Sequence, residues 1–147
     1  MRPMEAARSG DDTQPQLDRA YDVSTTDSGL ISIRWNRTAS EEESKTLMSL
    51  IEAYWAQDRD YAVTIVPHPA VDADARHRRF WGEWHERNRA RINRHCRGVA
   101  IVSESALMRA LMTVMSWFSK DAYPVKFVAS EAEARAWAFQ RLIERAR

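Results

Sequence analysis

The chain has 147 residues, 44% hydrophobic and 29% charged, which is the composition of one globular domain. A formal net charge of +1 gives no overall drive toward nucleic acid or an anionic membrane. Cys96 is the single cysteine, so an internal disulfide is excluded, and no apolar run approaches the roughly 18 residues of a membrane span.

Residues 1–19 are polar, have no apolar period and lack the apolar core of a signal peptide. They read as a flexible leader before a single domain at 20–147, and the chain reads as cytoplasmic. Tyr21-Asp22-Val23-Ser24 and Leu30-Ile31-Ser32-Ile33-Arg34-Trp35 are predicted strands joined by a hairpin-like turn at Asp27-Ser28-Gly29. Ser40-Glu41-Glu42-Glu43 is a capping box, and Leu47, Leu50, Ile51 and Tyr54 follow at helical spacing, so a first helix is expected over 41–57.

Tyr61-Ala62-Val63-Thr64-Ile65-Val66 is a nearly continuous apolar run of the kind a strand buried on both faces requires. Asp72 or Asp74 can cap a second helix running to about His95. Gly98-Val99-Ala100-Ile101-Val102 is the next strand. Ser103 or Ser105 can cap a third helix reaching about Ser119, Val125-Lys126-Phe127-Val128 forms the last strand, and Ser130-Glu131-Ala132-Glu133 opens a fourth helix. The order β-β-α-β-α-β-α-β-α predicts an α/β fold: a mixed, mostly parallel sheet with helices packed on it.

This element order is that of STAS domains. The Arg97-Gly98-Val99-Ala100-Ile101-Val102 strand, the Met- and Trp-rich helix after it, Pro124-Val125-Lys126-Phe127 and Glu131-Ala132-Glu133-Ala134-Arg135-Ala136-Trp137 together resemble the SpoIIAA-like branch of that superfamily, which groups small bacterial STAS/SEC14-like proteins. Residues 90–145 carry the resemblance in detail, and residues 20–90 carry it by order of elements. It implies a non-enzymatic regulatory module that binds a partner protein, with nucleotide or lipid binding known among relatives. In anti-sigma-factor antagonists a phosphorylatable serine follows the third strand. The matching stretch here, 67–74, holds neither Ser nor Thr, so a kinase switch is not supported.

No catalytic constellation stands out. His77 and His85 are eight residues apart, about 12 Å along one helix, too far to share a metal. His95 and Cys96 are adjacent and do not face each other on a helix. Phosphate-loop, dinucleotide and nucleophile-elbow motifs are absent, and the reading is that of a non-enzyme without cofactor or metal. A His68–carboxylate pair with Asp72 or Asp74, at the carboxyl ends of the strands, is the one catalytic alternative, and no nucleophile accompanies it.

Two segments carry unusual composition. The second predicted helix bears Arg76, Arg78, Arg79, Arg87, Arg89, Arg91 and Arg94 around Phe80, Trp81, Trp84 and Ile92, opposed only by Glu83 and Glu86. A solvated amphipathic helix explains it, and so does a contact surface for an acidic partner. Nucleic acid ranks below protein because no reading motif accompanies the arginines. The third predicted helix has a stripe of Leu107, Leu111, Val114, Met115 and Phe118, widened by Met108 and Met112, with Trp117 near its other edge. A deeply buried helix explains that width, and so does an adaptable groove or a homodimer face. The candidate binding residues are Arg79, Trp81, Trp84, Arg87, Arg91, Met108 and Met112. They serve an unidentified protein partner or a second copy or, alternatively, line a pocket with arginine rims for a small amphipathic, lipid-like anion.

Overall fold

The computed structural model describes residues 19–69, 74–116 and 122–146, so nearly all of the expected leader lies outside the described part. Strands β1 (Tyr21–Thr25) and β2 (Leu30–Trp35) form the predicted hairpin. Gly29 closes it at φ +99°, where a Cβ would also sit 2.6 Å from the Asp60 carbonyl oxygen, so the turn requires glycine. Helix α1 (Glu41–Ala56) leads to β3 (Tyr61–Val66), and helices α2 (Ala75–Arg87) and α3 (Arg89–His95) lead to β4 (Cys96–Val102). Helix α4 (Ala106–Ser116), β5 (Val125–Val128) and α5 (Glu131–Ala146) complete the chain.

The five strands lie in sequence order, β1-β2-β3-β4-β5. The β1–β2 pair is antiparallel and all later pairs are parallel, as the α/β order predicts. The expected single second helix is instead two. The break falls at Asn88, whose backbone leaves helical geometry (φ −114°, ψ 17°) while its side-chain amide donates to the Trp84 carbonyl oxygen. Such an asparagine competes with the helix for its own carbonyls, which ends one helix and begins another. Strand β4 also begins two residues before the expected Gly98, because Cys96 pairs with Tyr61 across a local irregularity in register.

The two faces of the sheet are filled differently. On one face Ile31, Ile33, Tyr61, Val63 and Cys96 join Leu47, Met48, Ile51 and Tyr54 of α1, Trp84 of α2 and Ile92 of α3 in the main core. On the other, small residues bring α5 close: Ala62 and Ala100 of the sheet and Ala134 and Ala138 of the helix are all fully buried. A Cβ on Gly98 would lie 2.9 Å from the Trp137 ring, so glycine there lets the indole approach β4 closely.

The capping box that opens α1 is fully formed. Ser40 Oγ accepts from the Glu43 amide at 3.1 Å, and the Glu43 carboxylate accepts from the Ser40 amide at 3.0 Å and from both Arg37 terminal nitrogens. Hydrogen bonds from Arg37, and then from the Ser40 amide, hold the Glu43 carboxyl down at about 2. A carboxyl depressed by folding adds stability that is complete above its unfolded pKa of about 4.3 and is lost as pH falls through the folded value. Denaturant unfolding of Glu43→Gln should therefore show a flatter loss of stability between about pH 4.5 and pH 2 than the parent does, and an unchanged slope would contradict this role.

Candidate functional site

Alternation along the strands sends Ile33, Trp35, Val63, Ile65, Val99, Ile101, Val125 and Phe127 to the face that α1 to α4 cover. The helices do not close over all of it. Between the sheet, α2 and α4 lies an apolar cavity of about 940 Å³, at the upper end of the size range for small-molecule sites. Trp81 and Trp84 form its wall on the α2 side, and Met108 and Met112 form it on the α4 side.

The α2 wall is rigid. Trp84 is buried and stacks on Trp55 of α1 at 5.4 Å between ring centroids, while Trp81 meets Trp84 and Trp35 edge to face. The indole Nε1 atoms of Trp81 and Trp84 are buried with no hydrogen-bond acceptor among the described residues, a cost of roughly 1–3 kcal/mol each. The α4 wall is loose. Its principal packing partner is β5, and it exposes Leu107 by 79%, Leu111 by 52% and Met108 by 47%. The buried-helix explanation of the Leu/Met stripe is thus corrected: α4 is apolar toward the cavity and apolar toward solvent. The side chain of Met115, together with Trp117 and Phe118, lies outside the described residues.

The polar groups bordering the cavity are few. His77 packs edge to face on Trp35 at 5.2 Å. His85 Nε2 lies 2.8 Å from the Tyr123 hydroxyl, a hydrogen bond that ties α2 to the approach to β5. Ser103, Glu104 and Ser105 line the end of β4, where Ser105 Oγ caps α4 by accepting from the Met108 amide. The Tyr61 hydroxyl accepts from Trp55 Nε1 at 3.2 Å, and burial pushes it above its ordinary pKa. His77 and His85 are too far apart to share a metal, yet both border this one cavity, a convergence that only the fold reveals.

The expected arginine rim is not there. Arg79, Arg87 and Arg91 lie on the exposed side of α2 and α3 and do not line the cavity, and Arg91 donates instead to Asn88 Oδ1. Helical periodicity places Arg79, five residues before Trp84, on the far side of α2. Arg87 and Arg91 are at i+3 and i+7 from Trp84 and would share its side of one continuous helix; the break at Asn88 separates Arg91 from that register. His68 is half-buried beyond β3, but Asp74 is occupied as the cap of α2, accepting from the His77 amide at 3.0 Å, and Asp72 lies outside the described residues. Among the described residues no group of three or more His, Cys, Asp or Glu is placed to hold a metal.

A second charged cluster, missed in the sequence, sits at the opposite ends of β3 and β4. His95 is buried, with Nδ1 at 3.4 Å from Asp60 and Nε2 at 3.7 Å from Asp58, and Arg97 Nε reaches Asp60 at 3.0 Å. Burial raises the Asp60 carboxyl, but Arg97 and then His95 outweigh it and hold the group below its ordinary value. The cluster fastens the α3–β4 junction to β3.

A family model described as SpoIIAA-like matches residues 30–138, well over half of the chain. A crystal structure of an uncharacterized protein with a SpoIIAA-like fold from Shewanella loihica PV-4 is similar, with a TM-score of 0.59 and 15% identity over 81% of this chain and 92% of that one. At that identity the likeness concerns the fold. No curated protein shows significant similarity to the chain. Among the described residues no helix is long and apolar enough to cross a membrane.

The two cavity walls should respond differently to truncation. Trp84→Ala removes a buried, stacked indole and should lower the free energy of unfolding by about 3–5 kcal/mol. Met112→Ala, 37% exposed and facing open space, should cost less than about 1 kcal/mol. Equal losses in urea titrations would mean that α4 is packed as tightly as α2.

Proposed function

The chain belongs to the SpoIIAA-like family, and within that family we propose that it is a STAS-type regulatory module whose ligand is an amphipathic molecule with a long apolar body, held between the sheet, α2 and α4. Modules of this type are generally non-enzymatic. The observation that carries the reading is the apolar cavity of about 940 Å³ with one rigid aromatic wall and one loosely held methionine wall. Each methylene taken out of water there contributes roughly 0.8 kcal/mol. An acyl chain of about ten carbons therefore offsets the lower part of the ~4–15 kcal/mol cost of immobilising a ligand. Methionine side chains adapt to such a chain without a fixed shape.

The polar end of the ligand meets imidazoles and hydroxyls rather than guanidinium groups. Arg79, Arg87 and Arg91 act in this proposal only at a distance, on the approach of an anionic head. A fatty acid and its alcohol should accordingly bind within about tenfold of each other. Cytoplasmic action belongs to the same proposal and is supported by cysteine usage, a single buried Cys96 with no second cysteine to pair with.

A protein-interaction reading has its own support. Leu107, Leu111 and Val114 are exposed on the solvent side of α4, an apolar surface that a protein partner or a second copy would cover. The two readings separate cleanly. Titration with a bromine-labelled fatty acid should quench tryptophan fluorescence saturably, because Trp35, Trp81 and Trp84 line the cavity, and Met112→Glu should abolish the quenching. Absence of quenching, together with a concentration-dependent rise in mass that Leu111→Glu removes, would reject the ligand reading in favour of self-association.

A further inference from the structure

The large cavity has a charge pattern of its own. Among the described residues no arginine or lysine borders it, and one residue of fixed charge does: Glu104, in the connection between β4 and α4. Glu104 is exposed and makes no hydrogen bond or ion pair among the described residues. Its neighbour Ser105 already caps α4 by accepting from the Met108 amide, so the carboxylate is not needed to satisfy that end of the helix.

The same end of the cavity is aromatic. Parallel register places Trp35 at the carboxyl end of β2 and Glu104 just beyond the carboxyl end of β4, and both border the cavity. Two strand spacings, about 10 Å, separate β2 from β4. Trp35 and Trp81 meet at 87° with 6.0 Å between ring centroids, and Trp81 meets Trp84 at 77° and 5.5 Å. All three indoles line the cavity, and Trp35 and Trp81 are only partly buried. The face of an indole is the negative part of its quadrupole, so rings set at right angles wall a corner that attracts a cation.

Head groups therefore rank by charge at this end. A carboxylate is repelled by the ring faces and by Glu104, a hydroxyl is nearly indifferent to both, and an ammonium is attracted by both. A quaternary ammonium has the further advantage of bringing no N–H groups into a wall with few acceptors. Arg79, Arg87 and Arg91 stay outside the cavity, and at physiological ionic strength their field is screened over about 8 Å.

We infer, on the reading that this cavity takes an amphipathic ligand, that the ligand is a cation: an alkyl chain carrying an ammonium-type head. The chain lies between the sheet, α2 and α4. The head lies between the corner formed by Trp35 and Trp81 and the Glu104 carboxylate, which supplies the counter-charge.

The test compares three ten-carbon probes that differ at the head: decyltrimethylammonium, decanol and decanoate. Each is titrated into the whole protein by calorimetry, below its micellar concentration, at about 0.15 M salt. The measurements are made at about pH 8, above the ordinary imidazole range, so that His77 and His85 add no positive charge. The ammonium is expected to bind about tenfold tighter than the alcohol, and decanoate no tighter than the alcohol. Glu104→Gln, at an exposed position that keeps the fold, should weaken the ammonium about threefold and leave the alcohol unchanged. Trp81→Leu should remove most of the remaining preference, read as the ratio of ammonium to alcohol so that a general loosening of the cavity cancels. Equal binding of the three probes, or tightest binding of decanoate, would overturn the cationic head and leave the amphipathic-ligand reading standing. No saturable binding of any probe would overturn both. A preference for the ammonium that survives both substitutions would put the head elsewhere and overturn the site assigned to it.

Discussion

Laying parallel strands down in sequence order puts every connecting helix on the same side of the sheet. In this protein α1 to α4 all join neighbouring strands, and all fall on the face that presents Ile33, Val63 and Val99. Among the described elements, α5, which follows the last strand, is the one that covers the other face. That constraint gives the molecule one crowded face and one covered by a single helix, and the chain answers each with different residues. Under α5 the lining is alanine and glycine, and the fit is close. Under the crossover helices the lining is aromatic and branched, and the space is not filled.

The unfilled space follows from unequal anchoring. Helix α1 buries five residues, and α2 is pinned by the Trp55–Trp84 stack and by the His85–Tyr123 hydrogen bond. Among the described residues α4 shows no ring stack, and its side-chain tie to the sheet is the Arg109 hydrogen bond to the Ser103 carbonyl oxygen at 2.6 Å. The helix leans on β5, holds its amino end through Ser105, and leaves Leu107, Met108 and Leu111 substantially exposed. Closing it onto the sheet would bury those residues but needs something between them and the strands. A chain-like ligand supplies that filling without demanding exact shape, which ties the apolar cavity and the loose helix into one account.

Much of this was legible in the residues. Ser40 through Glu43 announced the start of α1, Gly29 its hairpin, and the run from Tyr61 to Val66 a central strand, because caps, turns and buried strands depend on local chemistry. Trp81, Trp84, Met108 and Met112 were also identified as a group, and they do line one cavity. What could not be read is what lies opposite a side chain. A leucine and methionine stripe has the same period whether it meets a packed core or an empty cleft, so the exposure of α4 was hidden. Arg79 and Arg87 share α2 with the tryptophans and Arg91 follows in α3, yet all three are exposed away from the cavity, and Asn88 gave no warning of a break since its effect depends on reaching the Trp84 carbonyl. The buried His95 between Asp58 and Asp60 emerges only when distant segments meet.

The central claim is that α5 is packed closely on the sheet while α4 leaves it open. Amide hydrogen exchange followed by mass spectrometry addresses it directly, since opening free energies differ between well-packed and loosely packed elements. The account predicts that peptides from α4 exchange at least about a hundredfold faster than those from α5, and that a bound fatty acid slows α4 selectively. Equal protection of the two helices in the ligand-free protein would contradict it.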